Sequence, residues 1–346
     1  MKIKVETEKK YYCIEPEKLI EQALSLNFKE IQRVIETDEY FTDIESEFIK
    51  NRTCLRIRKK DNNMEITYKG KSNSLLGQYC KLENNISCNI EEYNNFVNLF
   101  SSLGYYSYVE VYKERIIYEL KSDKYKYSIM IDKLPELGGF VEFEIISEKE
   151  NSKKNELKEE LNKFVMKFDN LSLKEAIKPY RDIVAENIYD KLNIHNSKQI
   201  FINLDSEIMK YEKDFFRKYK EKISEVCNVN IKWGIYKKNN EISNKIVDLI
   251  DDYLENLIFD NKEILILIDL INKLKFDVSY LTKSNELFFT HFFGKLNIII
   301  NNVLYIKDET LLKILKNNNI NLNENIIIND KNIKEIISIC LILINN

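Results

Sequence analysis

An α+β protein of two domains is what this sequence predicts: a strand-rich first half with flanking helices, then a smaller α/β domain of Rossmann-like pattern. Two observations predict it. From Lys2 to Ile146, β-branched and aromatic residues alternate with charged ones at period two, the pattern of half-buried strands. After Asn193, short apolar runs alternate with helical stretches, which is how a parallel sheet with crossover helices is written. A chain of 346 residues suits two domains of ordinary size. The boundary is placed in the polar stretch from Asn193 to Lys198, giving domains 1–192 and 193–346.

The first strand carries Glu6, Glu8 and Lys10. A helix follows from Pro16, a good first-turn residue, with Leu19, Ile20 and Leu24 on one face. A second helix runs from about Ile90 to Leu103 and stops at Gly104. The spacing of Leu157, Leu161, Phe164, Val165 and Phe168 predicts an amphipathic helix from Asn155 to Phe168, and another passes through Tyr180 and Ile188. In the second half, Ile200 to Ile202, Val278 to Leu281, Asn297 to Ile300 and Ile326 to Ile328 are the predicted strands.

Composition narrows the function classes. An apolar fraction of 44% and a charged fraction of 32% describe a globular chain with cores. A net charge of −3 argues against broad attraction to nucleic acid or anionic membrane, so any anion site must be local and no sequence-specific nucleic-acid partner is expected. The six cysteines form no CxxC pair and the two histidines, His195 and His291, offer no zinc spacing, so reduced thiols are expected. The opening Met1 to Glu6 has no apolar signal core, and the apolar runs near Ile326 and Ile336 are too short to span a bilayer. A cytoplasmic location with no membrane partner is the expectation.

In a strand, residues i and i+2 share a face. Glu6, Glu8 and Lys10 therefore project together, as do Arg56 with Arg58, Lys81 with Glu83, Lys113 with Arg115 and Glu142 with Glu144. Lys69 and Asp132 stand near the ends of two further strands. Each pair taken singly reads as the solvated face of an antiparallel sheet. The sorting by sign argues otherwise, because like charges on one strand repel and a face chosen for solubility mixes its signs. A sheet curled with these faces inward gathers acids around a hard divalent cation and bases around a polyanion, and a metal-bound polyphosphate supplies both counter-charges.

Glu6-Thr7-Glu8-Lys9-Lys10 resembles the ExExK signature that opens the CYTH superfamily, the triphosphate tunnel metalloenzymes that include class IV adenylyl cyclases and thiamine triphosphatases. The resemblance continues in order through Thr37-Asp38-Glu39-Tyr40-Phe41, Leu55-Arg56-Ile57-Arg58, Thr67-Tyr68-Lys69-Gly70, Lys113-Glu114-Arg115, Asp132, Gly138 to Glu144 and Lys178-Pro179-Tyr180, covering roughly residues 1–190. It implies an eight-stranded antiparallel β-barrel with an open tunnel. It also implies that Glu6, Glu8, Glu83, Asp132, Glu142 and Glu144 hold Mg2+ or Mn2+, that Lys10, Arg56, Arg58, Lys69, Lys81, Lys113 and Arg115 hold the phosphate chain, and that Glu6, Glu8 and Lys10 carry catalysis. Lys81-Leu82-Glu83-Asn84-Asn85 departs from the family's R-x-E-x-E strand, which weakens a second metal site.

The implied activity is metal-dependent hydrolysis of a triphosphate: inorganic tripolyphosphate, thiamine triphosphate or a nucleoside triphosphate. The alternatives are a class IV-type adenylyl cyclase making cyclic AMP from ATP, and a non-catalytic polyphosphate or nucleotide sensor. Hydrolysis requires only the phosphate machinery, whereas no residue singles out a purine pocket.

In the second half, Gln199 to Asp205 resembles the first motif of haloacid dehalogenase-like hydrolases. Tyr280-Leu281-Thr282 resembles the second, Lys307 before Leu311 and Leu312 the third, and Ile326 to Asp330 the fourth. Asn203 stands where that family has its aspartate nucleophile, and an amide cannot form an acyl-phosphate. Ser206-Glu207 and Lys334 depart as well. The expectation is a degenerate domain kept for binding, scaffolding or regulation.

Overall fold

The computed structural model describes residues 6–70, 83–147, 154–191, 199–238, 240–257, 262–274, 277–295, 303–305, 325–328 and 333–345. The chain divides into two compact units, Met1–Asn187 and Ile188–Asn346.

In the first unit the elements are β1 (Glu6–Tyr12), α1 (Pro16–Ser25), β2 (Lys29–Thr42), α2 (Glu47–Lys50), β3 (Cys54–Lys60), β4 (Asn63–Lys69), β5 (Glu83–Asn89), α3 (Tyr93–Ser102), β6 (Tyr106–Lys121), β7 (Tyr125–Leu134), β8 (Gly138–Ser147), α4 (Lys154–Met166), β9 (Lys174–Glu175) and α5 (Tyr180–Lys191). The strands form one sheet in the order β5-β4-β3-β2-β6-β7-β8-β1-β9, and all the pairings are antiparallel. Eight long strands match the expectation, and the two-residue β9 adds a ninth at the edge of β1.

Period-two alternation sorts the sheet into two faces. The apolar outer face is covered by helices in two separate clusters. Tyr11, Ile129, Ile131, Val141, Phe143 and Ile145 of β1, β7 and β8 pack against Leu19 and Ala23 of α1 and Leu157, Leu161 and Phe164 of α4. Phe41, Leu55, Ile57, Met64 and Ile66 of β2, β3 and β4 pack under Phe100 of α3. The predicted face of α4 is the buried one, whereas in α1 Leu19 is buried and Ile20 partly so but Leu24 is exposed, and Ala23 takes the inward place because it lies four residues after Leu19. Gly104 ends the α3 turn at φ +86°, a left-handed conformation that glycine adopts without strain. Gly139 serves close approach, since a Cβ there would lie 2.5 Å from the carbonyl oxygen of Cys13.

The inner face is curled. Two consecutive residues of α5 reach strands far apart in the sheet order: Tyr180 packs its ring on Phe140 of β8, with centroids 5.2 Å apart, while Arg181 donates to the carbonyl of Thr53, just before β3, at 2.6 Å. Four strand steps separate β3 from β8, roughly 19 Å in a flat sheet at the usual spacing. The sheet wraps around the first turn of α5, and Tyr180 and Ile183 join Val111, Leu134 and Phe140 in an apolar plug at one end of the concave side.

The second unit contains β10 (Gln199–Asn203), α6 (Asp205–Cys227), α7 (Trp233–Lys238), α8 (Asn240–Lys245), α9 (Val247–Glu255), α10 (Lys262–Lys273), β11 (Asp277–Thr282), α11 (Glu286–Lys295), β12 (Val303–Tyr305), β13 (Asn325–Ile328) and α12 (Ile333–Asn345). Its sheet is parallel, in the order β12-β11-β10-β13. The expected strand at Asn297 to Ile300 lies outside the described residues, and the described third strand is Val303–Tyr305.

Candidate functional site

The concave face of the first unit carries a continuous ionic network. Asp38 on β2 is its hub. Arg58, directly opposite on β3, donates from Nε and Nη2 to the two Asp38 oxygens at 2.6 and 2.8 Å. Lys113 on β6, the other flanking strand, donates to Asp38 Oδ2 at 3.1 Å, and Arg56 Nη1 stands 3.6 Å from the same oxygen. Glu36, two residues back on the same face, places Oε2 3.2 Å from Lys113 and 3.3 Å from Arg58. A strand of acids is thus held between two strands of bases.

A second knot joins β6, β7 and β8. Arg115 donates from Nε and Nη2 to the two oxygens of Asp132, each at 2.6 Å, and its Nη2 also reaches Glu142 Oε2 at 2.6 Å. Tyr180 donates its hydroxyl to Asp132 at 2.7 Å. The same ring carries Lys10 at 4.1 Å and Lys113 at 5.5 Å from its centroid, a cation–π bridge between β1 and β6. The network is almost sealed from solvent: Asp38 and Asp132 are 0% exposed and Lys113 1%.

Burial sets the electrostatics. It would raise the pKa of Asp38, but Lys113, Arg56 and Arg58 outweigh it and hold the carboxyl well below the usual carboxylate range. Glu36 and Glu142 are likewise penalised by burial yet held low, the first by Arg58 and Lys113, the second by Arg115 and Lys10. For the lysines burial wins. Lys10 and Lys113 are both lowered, Lys113 with help from the neighbouring Arg115 and Arg58. Lysines that burial weakens, in spite of nearby acids, stand in a pocket with capacity for more negative charge. One donor is open to such an anion: Arg56 Nε is buried and has no hydrogen-bond partner among the described residues.

The structure brings together Lys10, Arg56, Arg58, Lys113, Arg115, Asp132 and Glu142. Lys69 is half-buried at the end of β4, on the same face as Thr67, which accepts from Arg56 Nη2 at 3.2 Å. Glu8 and Glu144 lie directly opposite each other on β1 and β8, both partly exposed. Lys81 lies outside the described residues, and for Glu6 and Glu83 only the strand positions are described, Glu83 in register with Lys69. Among the described residues no group of three or more acid, histidine or cysteine side chains is placed to hold a metal ion. Asp132 and Glu142 both pair with Arg115, because a buried guanidinium needs carboxylates to offset its desolvation.

Glu36, Asp38 and Tyr180 escaped the sequence assignment of site residues. The acids carried a legible signal, since Glu36-Thr37-Asp38 is another like-charged i, i+2 pair. Tyr180 stood in the Lys178-Pro179-Tyr180 segment of the family resemblance but was given no role, because its contacts depend on where α5 docks.

A CYTH domain family model matches residues 4–174. A protein of Methanocaldococcus jannaschii named "Putative adenylate cyclase" is 31% identical over 140 residues, spanning 40% of this chain and 76% of that protein. The chain belongs to the CYTH family. Among solved structures, a Pyrococcus horikoshii OT3 protein aligns at 24% identity over 53% of this chain and 99% of its own, with a TM-score of 0.45. A Hippeastrum protein, described as a "putative adenylyl cyclase" with a dominant triphosphatase activity, aligns at 13% identity over 53% of this chain and 96% of its own, with a TM-score of 0.41. Among the described residues no helix is long and apolar enough to cross a membrane.

Proposed function

We propose that the first unit binds a triphosphate-containing small molecule on its concave face and hydrolyses it with Mg2+ or Mn2+. The supporting observation is the basic row in which Arg56, Lys113 and Arg115 are buried and Lys10 and Arg58 half-buried, with Arg56 Nε lacking a hydrogen-bond partner among the described residues. Arg58 and Arg115 are held by bidentate carboxylates, which fix each guanidinium plane before substrate arrives. Arg56 Nε donates to a phosphate oxygen. Lys10 and Lys113, with charges that burial disfavours, gain from an added anion and neutralise charge that develops on the transferred group.

The residues present fit a hard divalent cation at one place. Glu8 and Glu144 face each other across β1 and β8, and two carboxylates side by side on one face offer the oxygen donors that a hard divalent cation takes. Glu6, two residues before Glu8 on the same strand, is the further donor assigned there. A bound metal there would lower the pKa of an attacking water and neutralise phosphate oxygens.

The second reading is an adenylyl cyclase, favoured by the name of the Methanocaldococcus relative. One panel separates them: tripolyphosphate, thiamine triphosphate, ATP and GTP, each with Mg2+ or Mn2+, assayed for phosphate, pyrophosphate and cyclic nucleotide. Phosphate release is the expected result; pyrophosphate with a cyclic product selects the cyclase, and binding without turnover selects a sensor.

For the second unit the reading is a non-catalytic, degenerate haloacid dehalogenase-like domain. Asn203, half-buried, closes β10 in a sheet whose order reverses between β10 and β13, where open parallel sheets place their ligand crevice. An amide there supplies no phosphoryl-accepting carboxylate. Lys307, Asn329 and Asp330 lie outside the described residues, and Lys334 on α12 stands 3.7 Å from Glu263. Phosphomonoesterase activity of the full chain that disappears on Asn203→Ala would overturn this reading.

A further inference from the structure

Four adjacent strands place Glu119, Ser128, Glu144 and Glu8 in a single row. Glu119 of β6 is opposite Ser128 of β7, Ser128 is opposite Glu144 of β8, and Glu144 is opposite Glu8 of β1. Directly opposed residues of an antiparallel pair share a face, with Cβ atoms about 4.5–5.5 Å apart. The face is the concave one, because Ser128 is four residues from the inward-facing Asp132 on an unbroken β7–β8 register, while Ile129 and Ile131 fill the outer core.

The row is chemically uneven. Glu119 is neutralised by Lys126, whose Nζ lies 2.6 Å from its carboxylate. Glu8 and Glu144 are directly opposed in register and bring two carboxylates to the same face. Between the Glu119–Lys126 pair and Glu144 is Ser128, 2% exposed, whose Oγ has no hydrogen-bond partner among the described residues. A buried hydroxyl left unmatched is costly, and a folded chain keeps one where something else satisfies it.

We propose that Ser128 Oγ is a further protein donor to the divalent cation held by Glu8 and Glu144, a proposal that rests on the metal reading of those two carboxylates. A hydroxyl oxygen is a hard donor suited to Mg2+ or Mn2+, in the role that a serine or threonine hydroxyl fills in phosphate-binding loops. It is neutral, so it completes the set without adding to the repulsion between Glu8 and Glu144. It also binds the ion from β7, the strand that carries Asp132, and so ties the metal row to the Arg115 knot.

The test is Mn2+ binding to the full chain without substrate, read from loss of the free-ion electron paramagnetic resonance signal. Ser128→Ala weakens binding about tenfold, as loss of a supporting metal contact typically does. Ser128→Thr, which keeps the hydroxyl, stays near wild type, and Glu144→Gln loses most binding. In metal-free buffer Ser128→Ala unfolds at the same or a higher temperature than wild type, because the orphaned hydroxyl is gone. If Ser128→Ala binds Mn2+ like wild type while Glu144→Gln is impaired, or if Ser128→Thr fails as badly as Ser128→Ala, the role of Ser128 is refuted and the metal site stands. If Glu144→Gln also binds like wild type, the metal reading itself falls.

Discussion

Arg58 and Asp38 face each other across β3 and β2 in a two-pronged ion pair, with N–O distances of 2.6 and 2.8 Å, inside a wall that solvent barely reaches. The pair positions a guanidinium rather than adding stability for its own sake, since two buried charges about offset the cost of their own desolvation. Asp38→Asn keeps the shape and removes the charge, leaving Arg58 and Lys113 undercompensated. The expected cost is about 3 kcal/mol in urea unfolding. An unchanged midpoint for Asp38→Asn would show that Glu36 alone suffices.

Acid lability follows from the same group. Asp38 and Glu36 have folded-state pKa values below their ordinary ones, so their contribution is complete above the unfolded carboxylate range, about pH 4. It is lost as pH falls through the folded values. Denaturation midpoints measured from pH 6 to pH 2 should drop for wild type, and drop less steeply for Asp38→Asn. At the alkaline end the sign reverses for binding. Burial lowers Lys113, which therefore discharges below the ordinary lysine value of about 10.4, and triphosphate affinity should decline as pH rises toward it.

Tyr180 performs two jobs that one substitution separates. Tyr180→Phe removes the hydroxyl that donates to Asp132 but keeps the ring under Lys10. A loss of about 2 kcal/mol in stability, with substrate affinity nearly kept, is expected. Tyr180→Ala should cost more, because it also takes the aromatic face from Lys10 and a large side chain from the apolar plug. Equal effects of the two would mean that the ring contributes nothing to holding Lys10.

Metal and phosphate roles should split in steady-state kinetics. Glu6→Gln or Glu144→Gln should abolish metal-dependent turnover, as should chelator on the wild type. Arg56→Ala should mainly raise KM, by roughly thirtyfold for the loss of about 2 kcal/mol of charge-assisted hydrogen bonding. Full activity in chelator would defeat the metal assignment whatever the mutants show.

The strand pattern with its inward charges was legible because period two is written residue by residue: Arg56 and Arg58, and Glu142 and Glu144, alternate with apolar residues that the outer core buries, and Lys113 and Arg115 keep the same i, i+2 spacing. The helices α1, α3, α4 and α5 were legible from their apolar spacing, and Gly104 from its position after α3. Those signals are local, and local sequence determines which side of a strand a residue occupies. What pairs with what is not local. Only the strand order puts β2 between β3 and β6, and so makes Asp38 the shared partner of Arg58 and Lys113. Strand order and register likewise give Asp132 to Arg115 and face Glu144 toward Glu8, while the curl of the sheet around α5 sets Tyr180 beneath Lys10. The sequence determined the inventory of charges and the face that bears them; the tertiary structure decided their neighbours, because a charge buried among strands takes its partner from whichever strand lies beside it, however distant in the chain.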